Sequence, residues 1–341
     1  MILEPEGGQW LDLWKQSTEK DVFAHPSYVS LFENTKTRAR AFYWQGAQGS
    51  VLFPFLLRSL PHEPFWKPEH GDIYDITTPY GYGGPLIVAG SPSPELYNGF
   101  FSDFHQWASQ NNIVSEFIRF SLFSEAYHYY PGEVVHTNDN IVCNLSFDYE
   151  ELWGRFRHKV RKNVATALTK GVNIEIDMDG ARLHDFYRIY FHTMQRRQAE
   201  NSYFPPVSFF EQLKSRLPNN SFFVHALYEN SVIASELVLA SETRIYSFLG
   251  GTLKEYFSLR AGDLLKNQII KWGHQGGYKQ FVIGGGYKPH DGIFSFKKSF
   301  APDGILPFYT GRKIFNHPLY NSLVLQAGKQ TKPGFFPGYR S

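Results

Sequence analysis

The sequence contains the same order of predicted elements twice. Residues 41–57 predict a β-hairpin around the turn Gly46–Gly49, and a glycine-rich loop, a helix and a strand follow it. About 180 residues further along the chain, residues 221–239 predict a second hairpin of similar length. A glycine pair, a helix from about Arg260 and a strand over Lys279–Ile283 follow this second hairpin. Two copies of one α/β unit are the simplest account of this order.

Length and composition allow two packed domains. The chain has 341 residues, and its 42% hydrophobic and 17% aromatic residues are typical of a globular protein with large buried side chains. We predict a first domain over residues 1–145, a second over 146–325 and a C-terminal tail over 326–341. The net charge of +2 excludes a global basic field, so contact with nucleic acid or an anionic membrane would need a local patch.

The N-terminus and the single cysteine indicate the expected compartment. Residues 1–8 lack the basic and apolar regions of a secretory leader, and no apolar run reaches the length that crosses a bilayer. Cys143 lies in the apolar run Ile141–Leu145, which favours a packed thiol over a nucleophile. These observations predict a cytoplasmic protein without an internal disulfide.

A strongly cationic helix is predicted between the two copies, from Asp148 to Gly171. Asp148 and Glu151 fit a capping box, and apolar residues at helical spacing form one stripe. The remaining surface carries five cations within eight residues, where like charges repel. Two interpretations remain open, a solvated face or a wall that binds the anionic part of a substrate. The candidate substrate-binding cations are Arg157, Lys159, Arg161 and Lys162.

The stretch Leu259–Phe300 contains the features of a ligand cleft. A turn at Arg260 opens a helix, whose unpaired first-turn N–H groups and positive dipole end suit a phosphate. Three consecutive glycines follow a predicted buried strand, where they allow unusual backbone conformations and close approach of a ligand. A tight structural turn is the alternative interpretation. The candidate cofactor-binding residues are Arg260, Gly262, Gly284, Gly285 and Gly286.

Lys297 is the leading candidate for a catalytic cation. It lies in the run Phe296–Phe300, whose aromatic rings can direct its ammonium inward to stabilise an oxyanion or a phosphate. The alternative is that the side chain extends to solvent. The other candidate catalytic groups, as possible general bases, are Glu236, Tyr246 and Asp291, and His290 lies in the same region. We expect no metal cofactor, because the thirteen histidines show no metal-ligand spacing.

Several segments together resemble one known family. They are Phe156–Asn163, Gly284–Gly286, Phe296–Phe300 and Phe308–Ile314. This set, over roughly Leu145 to Leu323, resembles the FemAB-like branch of the GNAT N-acyltransferase superfamily. The resemblance implies an α/β fold of two tandem GNAT-like domains, with mixed sheets flanked by helices. It also implies transfer of an acyl or aminoacyl group to an amine.

The resemblance assigns roles by position. Lys297 matches the lysine of the family's Phe-Lys element, which is associated with the acyl donor or the charged transition state. Residues 157–162 match the family's cationic helix. Arg260 and Gly262 occupy the place where GNAT enzymes hold the pyrophosphate of coenzyme A, but the full Gln/Arg-x-x-Gly-x-Gly/Ala pattern is absent. Both acyl-CoA and aminoacyl-tRNA therefore remain open as the acyl donor.

The resemblance thus implies an acyltransferase that uses an activated acyl donor, first of all a thioester. The implied acceptor is an amine of a small molecule, a sugar or a cell-envelope precursor. One alternative is a Fem-type enzyme of peptidoglycan bridge formation, with charged tRNA as a partner, although the helical hairpin insertion of bridge-forming proteins is not visible in the sequence. A second alternative is a non-catalytic GNAT-fold module that binds a nucleotide sugar. The oligomeric state does not follow from the sequence.

Overall fold

The chain divides into two compact units. The computed structural model describes residues 1–61, 63–64, 66–67, 71–328 and 334–341. Unit 1 comprises Met1–Thr137 and Phe308–Ser341, and unit 2 comprises Asn138–Pro307. The predicted tail over 326–341 lies partly outside the described residues, because residues 329–333 are not among them.

The secondary structure of the described residues alternates strands and helices along the chain. The strands are β1 (Ile2–Leu3), β2 (Thr37–Gly46), β3 (Gly49–Ser59), β4 (Tyr74–Thr77), β5 (Leu86–Gly90), β6 (Ile113–Arg119), β7 (Glu133–Asn144), β8 (Asn173–Asp177), β9 (Ser221–Tyr228), β10 (Ser231–Ala240), β11 (Arg244–Thr252), β12 (Gln280–Gly284) and β13 (Ile305–Ile314). The α-helices are α1 (Gln9–Gln16), α2 (Pro26–Val29), α3 (Pro94–Gln110), α4 (Tyr149–Arg155), α5 (His158–Thr169), α6 (Leu183–Arg196), α7 (Val207–Arg216), α8 (Ala261–Gln275), α9 (Gly292–Lys298) and α10 (His317–Ala327).

Unit 1 is a mixed sheet covered by helix α3. Its strands pair in the order β1-β2-β3-β4-β6-β13, and β5 pairs with β3. All of these pairs are antiparallel except β4 with β6, which is parallel and is connected through α3. Helix α3 begins at the Ser93 cap and buries an aromatic face. The ring of Phe104 lies 5.3 Å from that of Phe42 and 5.0 Å from that of Phe53.

Unit 2 repeats this topology. Its strands pair in the order β7-β12-β11-β10-β9-β8. The hairpin β9–β10 and the pair β10–β11 are antiparallel, whereas β11 and β12 are parallel and are connected through α8. The predicted repetition of one α/β unit, with mixed sheets flanked by helices, is confirmed by this order. Helices α5 and α8 cover one face of the sheet with the apolar core of unit 2.

In each unit, the strand at one end of the sheet is distant in sequence from the strand that it pairs with. In unit 1, β6 pairs with Thr310–Ile314 of β13, which follows unit 2 in the chain. In unit 2, β12 pairs with Ile141–Asn144 of β7, which precedes the rest of that unit. Residues 308–325, which the sequence analysis assigned to the second domain, therefore cluster with unit 1. A boundary placed by repeat length alone does not detect such an exchange of strands.

Two predicted elements differ from the structure. The glycine-rich loop predicted after the first hairpin, over residues 59–85, contains β4, a strand too short to show a period in the sequence, which pairs with β3 and β6. Residues 62, 65 and 68–70 of this range lie outside the described residues. The cationic helix predicted as continuous is broken into α4 and α5, because Phe156 adopts an extended conformation with ψ of 143°. The guanidinium of Arg161 donates to the carbonyl oxygens of Gly154, at 2.9 Å, and of Phe156, and so satisfies the end of α4.

A buried ionic network fixes the C-terminus within unit 1. The carboxylate of Asp75, 1% exposed, accepts from Arg58 Nε and Arg340 Nε, each at 2.6 Å, and from the Tyr339 hydroxyl at 3.0 Å. Burial opposes ionisation of this carboxyl, but the two guanidinium groups outweigh it and lower the Asp75 pKa. Arg340 also donates to Glu63 at 2.7 Å.

We predict that Arg340→Ala destabilises unit 1 by about 3 kcal/mol, because a buried carboxylate loses one of its two cations. Urea unfolding followed by tryptophan fluorescence measures this loss. Arg38→Ala, an exposed arginine of β2, is the control and should change stability by less than about 0.5 kcal/mol. Equal midpoints for the two variants would contradict a structural role of the network. Because the Asp75 pKa is lowered, the difference should be present at neutral pH and disappear as the pH falls through that pKa.

Candidate active site

The candidate site lies where β11 and β12 separate. The two strands pair only over Arg244–Tyr246 and Gln280–Val282, after which β11 continues to Thr252 and β12 ends at Gly284. The separation has a local cause in β11. The register with β10 shifts between Leu237 and Val238, which leaves one extra residue in β11 and bends it. Beyond the bulge, β11 and β12 are not paired, and we call this unpaired region at their carboxyl ends the opening.

The three glycines line this opening and are required there by close contacts. Gly284 has a φ of 88°, which strongly favours glycine, and a Cβ at this position would lie 3.0 Å from Lys297 Nζ. A Cβ at Gly285 would lie 2.8 Å from the carbonyl oxygen of Asp139. At Gly286 it would lie 2.4 Å from a carboxylate oxygen of Asp291. The glycines therefore let the backbone pass close to the Asp139 carbonyl, the Asp291 carboxylate and the Lys297 ammonium.

Lys297 is held inward at the end of α9. Its Nζ donates to the carbonyl oxygen of Gly285 at 2.8 Å. Part of the residue remains exposed, but the ammonium is enclosed, and this burial, together with the positive charge of Lys266, lowers the Lys297 pKa to about 7. The carboxylates of Glu236 and Asp291 act in the opposite direction and do not offset the burial. Lys297 therefore exchanges its proton near neutral pH.

Glu236 belongs to a buried ion pair beside Lys297. The Lys266 ammonium contacts both carboxylate oxygens of Glu236, at 2.6 and 2.7 Å, and the Ser247 hydroxyl at 2.9 Å. Lys266 and Glu236 are 4% and 7% exposed. This pairing does not favour the predicted role of Glu236 as a general base, because both oxygens are engaged with a cation.

Lys266 is the site residue that the sequence analysis missed. A lysine in an amphipathic helix is typical of a solvated face, so its position on α8 gave no signal. The signal was in its partner. Glu236 interrupts the apolar strand Ser231–Ala240, and a carboxylate buried in such a strand needs a cation nearby.

The surroundings of Asp291 and Tyr246 do not favour the catalytic roles predicted for them. Asp291 caps α9, accepting from the backbone N–H groups of Phe294 at 2.8 Å, Tyr287 at 2.9 Å and Lys288 at 3.1 Å. Burial opposes its ionisation, but these hydrogen bonds outweigh burial and lower the Asp291 pKa, which does not favour a general base. Tyr246 precedes Ser247 in β11, so its side chain lies on the opposite face of the sheet from Lys266.

The N-terminus of α8 already holds a carboxylate. Arg260 adopts the left-handed conformation with φ of 59° and begins the helix. Asp263 lies in the first turn and accepts from Asn163 Nδ2 at 3.1 Å. Burial raises the Asp263 pKa, while Asn163, Arg260 and Lys159 act in the opposite direction. A Cβ at Gly262 would make only an ordinary contact, 3.5 Å from Thr252 Oγ1, so no close approach requires glycine there.

The cations at and in α5 differ in their exposure and in the groups that they contact. Lys159 is exposed and close enough to the first turn of α8 to act on Asp263. Arg157 is exposed and begins α5, and its backbone N–H donates to the Ser299 carbonyl at 2.9 Å. Lys162 is exposed, whereas Arg161 caps α4. Of the four predicted substrate-binding cations, Lys159 is therefore the one whose charge acts on Asp263 in the candidate phosphate turn.

One family model matches a segment of the chain. Residues 154–297 match the model for the acetyltransferase (GNAT) domain. The matched segment lies entirely within unit 2. The matched segment contains the opening between β11 and β12 and the Arg260 turn, and it ends at Lys297. No curated protein sequence matches the chain.

Solved structures share the fold over nearly the whole chain. The structure of FemX has a TM-score of 0.68 at 13% identity and covers 94% of this chain and 99% of its own. L-PGS from Bacillus licheniformis has a TM-score of 0.58 at 14% identity, covering 95% and 96%. A tandem GNAT protein from the clavulanic acid biosynthesis pathway has a TM-score of 0.52 at 9% identity, covering 92% and 97%. The predicted resemblance to FemAB-like and tandem GNAT proteins is confirmed at the level of the fold.

Within the described residues, no group of three or more His, Cys, Asp and Glu side chains is arranged to hold a metal ion. None of the helices formed by these residues combines the length and apolar character needed to cross a bilayer.

The cap assignment of Asp291 is testable. Asp291→Asn should keep stability and any transfer activity close to those of the parent, because asparagine caps helices as well as aspartate does. Asp291→Ala should lose about 1 kcal/mol of stability, measured as the urea midpoint. A general base would behave differently, since Asp291→Asn would then lose activity as severely as Asp291→Ala.

Proposed function

We propose that the chain is an N-acyltransferase that moves an acyl or aminoacyl group from an activated donor to an amine. The observation that carries the proposal is the enclosed Lys297 ammonium, 2.8 Å from the Gly285 carbonyl, at the point where β11 and β12 separate. The match of residues 154–297 to the acetyltransferase domain supports the same class of reaction.

The reaction needs little covalent help from the protein. A neutral acceptor amine attacks the carbonyl carbon, forming the C–N bond and placing the negative charge on the carbonyl oxygen. Collapse of this intermediate breaks the bond to the thiolate or alkoxide leaving group, and the proton lost by the amine ends on that group. Protonated Lys297 stabilises the oxyanion in an enclosed site, where a charge acts more strongly than in water.

The chemistry at the α8 N-terminus bears on which acyl donor we propose. A coenzyme A thioester would place its pyrophosphate on the first turn of α8, as at other helix N-termini. There Asp263, hydrogen-bonded to Asn163, carries a carboxylate, and phosphate beside it is repelled when that group is ionised. This observation favours the alternative donor, an aminoacyl ester of tRNA, whose phosphates need not occupy this turn.

The acceptor is proposed as an amine of a small molecule, a sugar or a cell-envelope precursor. Structural similarity to FemX and to L-PGS is consistent with aminoacyl transfer. The exposed Lys159 and Arg157 near the opening would bind the anionic part of a donor or acceptor.

A direct transfer assay tests the proposal. Purified protein is mixed with acyl-CoAs or with aminoacyl-tRNA and a panel of primary amines, and the amide product is detected by mass spectrometry. Amide from either donor supports the proposal, and abolition of transfer by ribonuclease identifies the tRNA donor. Thermal stabilisation by nucleotide sugars, without amide from any donor, would contradict it and support a binding module.

We predict that Lys297→Ala lowers kcat/KM by about 10²- to 10³-fold, the usual effect of removing one oxyanion-stabilising group. The matched control is Lys298→Ala, which changes the neighbouring lysine at the end of the same helix. Lys298→Ala should stay within a few-fold of the parent. Full transfer activity of Lys297→Ala would contradict the assigned role.

The pH dependence gives a second prediction. Because the Lys297 pKa is lowered to about 7 and the protonated form is the active one, its contribution should be full below that pH and decline above it. Lys297→Arg keeps its charge throughout this range. The ratio of parent to Lys297→Arg activity should therefore fall as the pH rises through about 7. A ratio that rises over this interval would show that the neutral amine is the active form.

A further inference from the structure

The enclosed site contains more positive than negative side chains. Lys297 is influenced by Lys266 from α8, by Glu236 from β10, by Asp291 from the α9 cap and by Arg197 beyond α6. Asp291 is committed to three backbone N–H groups. Glu236 is therefore the carboxylate in this set that could form an ion pair with Lys297.

Glu236 is instead committed to Lys266. Both of its oxygens lie within 2.7 Å of the Lys266 ammonium, and Ser247 takes a further hydrogen bond of that ammonium at 2.9 Å. Lys297 donates to a neutral carbonyl, that of Gly285. Lys266 is therefore a paired cation, whereas Lys297 has an uncharged hydrogen-bond acceptor among the described residues.

We propose that Lys266 is a positioning residue, which holds the Glu236 carboxylate to itself and thereby withholds it from Lys297. Lys297 is then kept from a permanent ion pair and remains available to an oxyanion. The catalytic meaning of this arrangement rests on the proposed acyl transfer, whereas the electrostatic arrangement itself can be measured without any substrate.

The arrangement predicts that two variants shift the protonation equilibrium of Lys297 in opposite directions. In Lys266→Met, a cation is lost and Glu236 is released, so the protonated form of Lys297 gains stability. In Glu236→Gln, a negative charge is lost while Lys266 remains, so the protonated form loses stability. A pair that only packs the core would lower the stability of the protein in both variants and leave the protonation of Lys297 unchanged.

The experiment is an NMR titration of the lysine side chains in protein labelled with ¹³C-lysine, with Lys297 assigned by its loss in Lys297→Met. The Lys297 midpoint should rise by about one pH unit or more in Lys266→Met and fall in Glu236→Gln, because nearby charges shift titrations by such amounts. Lys271→Met, on the same helix but over the Tyr149 ring, is the matched control and should leave the midpoint unchanged.

Several outcomes would overturn the proposal. An unchanged or lowered midpoint in Lys266→Met would do so, as would an unchanged or raised midpoint in Glu236→Gln. If Lys266→Met does not fold, Glu236→Gln and the double variant decide, and the double variant should titrate above Glu236→Gln. Failure of the transfer assay with the parent protein would refute the proposed function while leaving this titration interpretable.

In the transfer assay, the same variants should move the declining limb of the pH profile in the directions of the titration. Lys266→Arg, which keeps the cation, should restore the parent profile. Loss of activity without movement of the profile would show that Lys266 has a merely structural role.

Discussion

The enclosure of two ammonium groups with one carboxylate is the interaction on which the candidate site depends. Burying a charged group is costly unless an opposite charge pairs with it. Here one ammonium has a carboxylate as its partner, and the other has a neutral carbonyl. Glu236 is bound to Lys266, and Lys297 has the Gly285 carbonyl. The pKa of Lys297 is lowered to about 7, so its ammonium can be charged when a transient oxyanion forms and is not held in a permanent ion pair. The glycines and the cap of α9 position Lys297 here, and the bulge in β11 accounts for the end of the strand pairing beside it.

The two units share a topology but differ in how far their parallel strands stay paired. In unit 1, β4 and β6 are parallel like β11 and β12, but their pairing continues beyond β4. The Thr78 backbone N–H donates to Phe117 at 3.1 Å, and Gly83 forms a parallel bridge with Phe120. In unit 2 the pairing stops at Tyr246 and Val282. Duplication therefore supplied two scaffolds, and a local difference in strand pairing distinguishes them.

Much of the fold could be predicted from the sequence because it depends on local periodicity and on repetition. The hairpins, the crossover helices and the glycine turn all follow from patterns within a few residues of each other. The exchange of β7 and β13 could not be predicted, since pairing between distant strands leaves no local signal. The break at Phe156 was also missed, because Phe156 and Val160 keep the apolar spacing of one helix across it.

The site was predictable in outline but not in its electrostatics. Lys297 and the glycines could be located because they adjoin a buried strand and an aromatic run. The roles of Glu236 and Asp291 depend on partners, Lys266 and the α9 backbone, that are placed by tertiary structure. A sequence shows that a carboxylate is present, whereas its chemistry depends on what it contacts.

Hydrogen exchange with and without the active acyl donor locates the donor site without any activity assay. Saturating donor should slow exchange in residues 247–260 and 284–297, which border the opening between β11 and β12. Residues 77–83 and 117–120 of unit 1, where the corresponding strands stay paired, should exchange at unchanged rates. Donor-dependent protection confined to unit 1, with no change around Lys297, would show that the donor does not bind between β11 and β12.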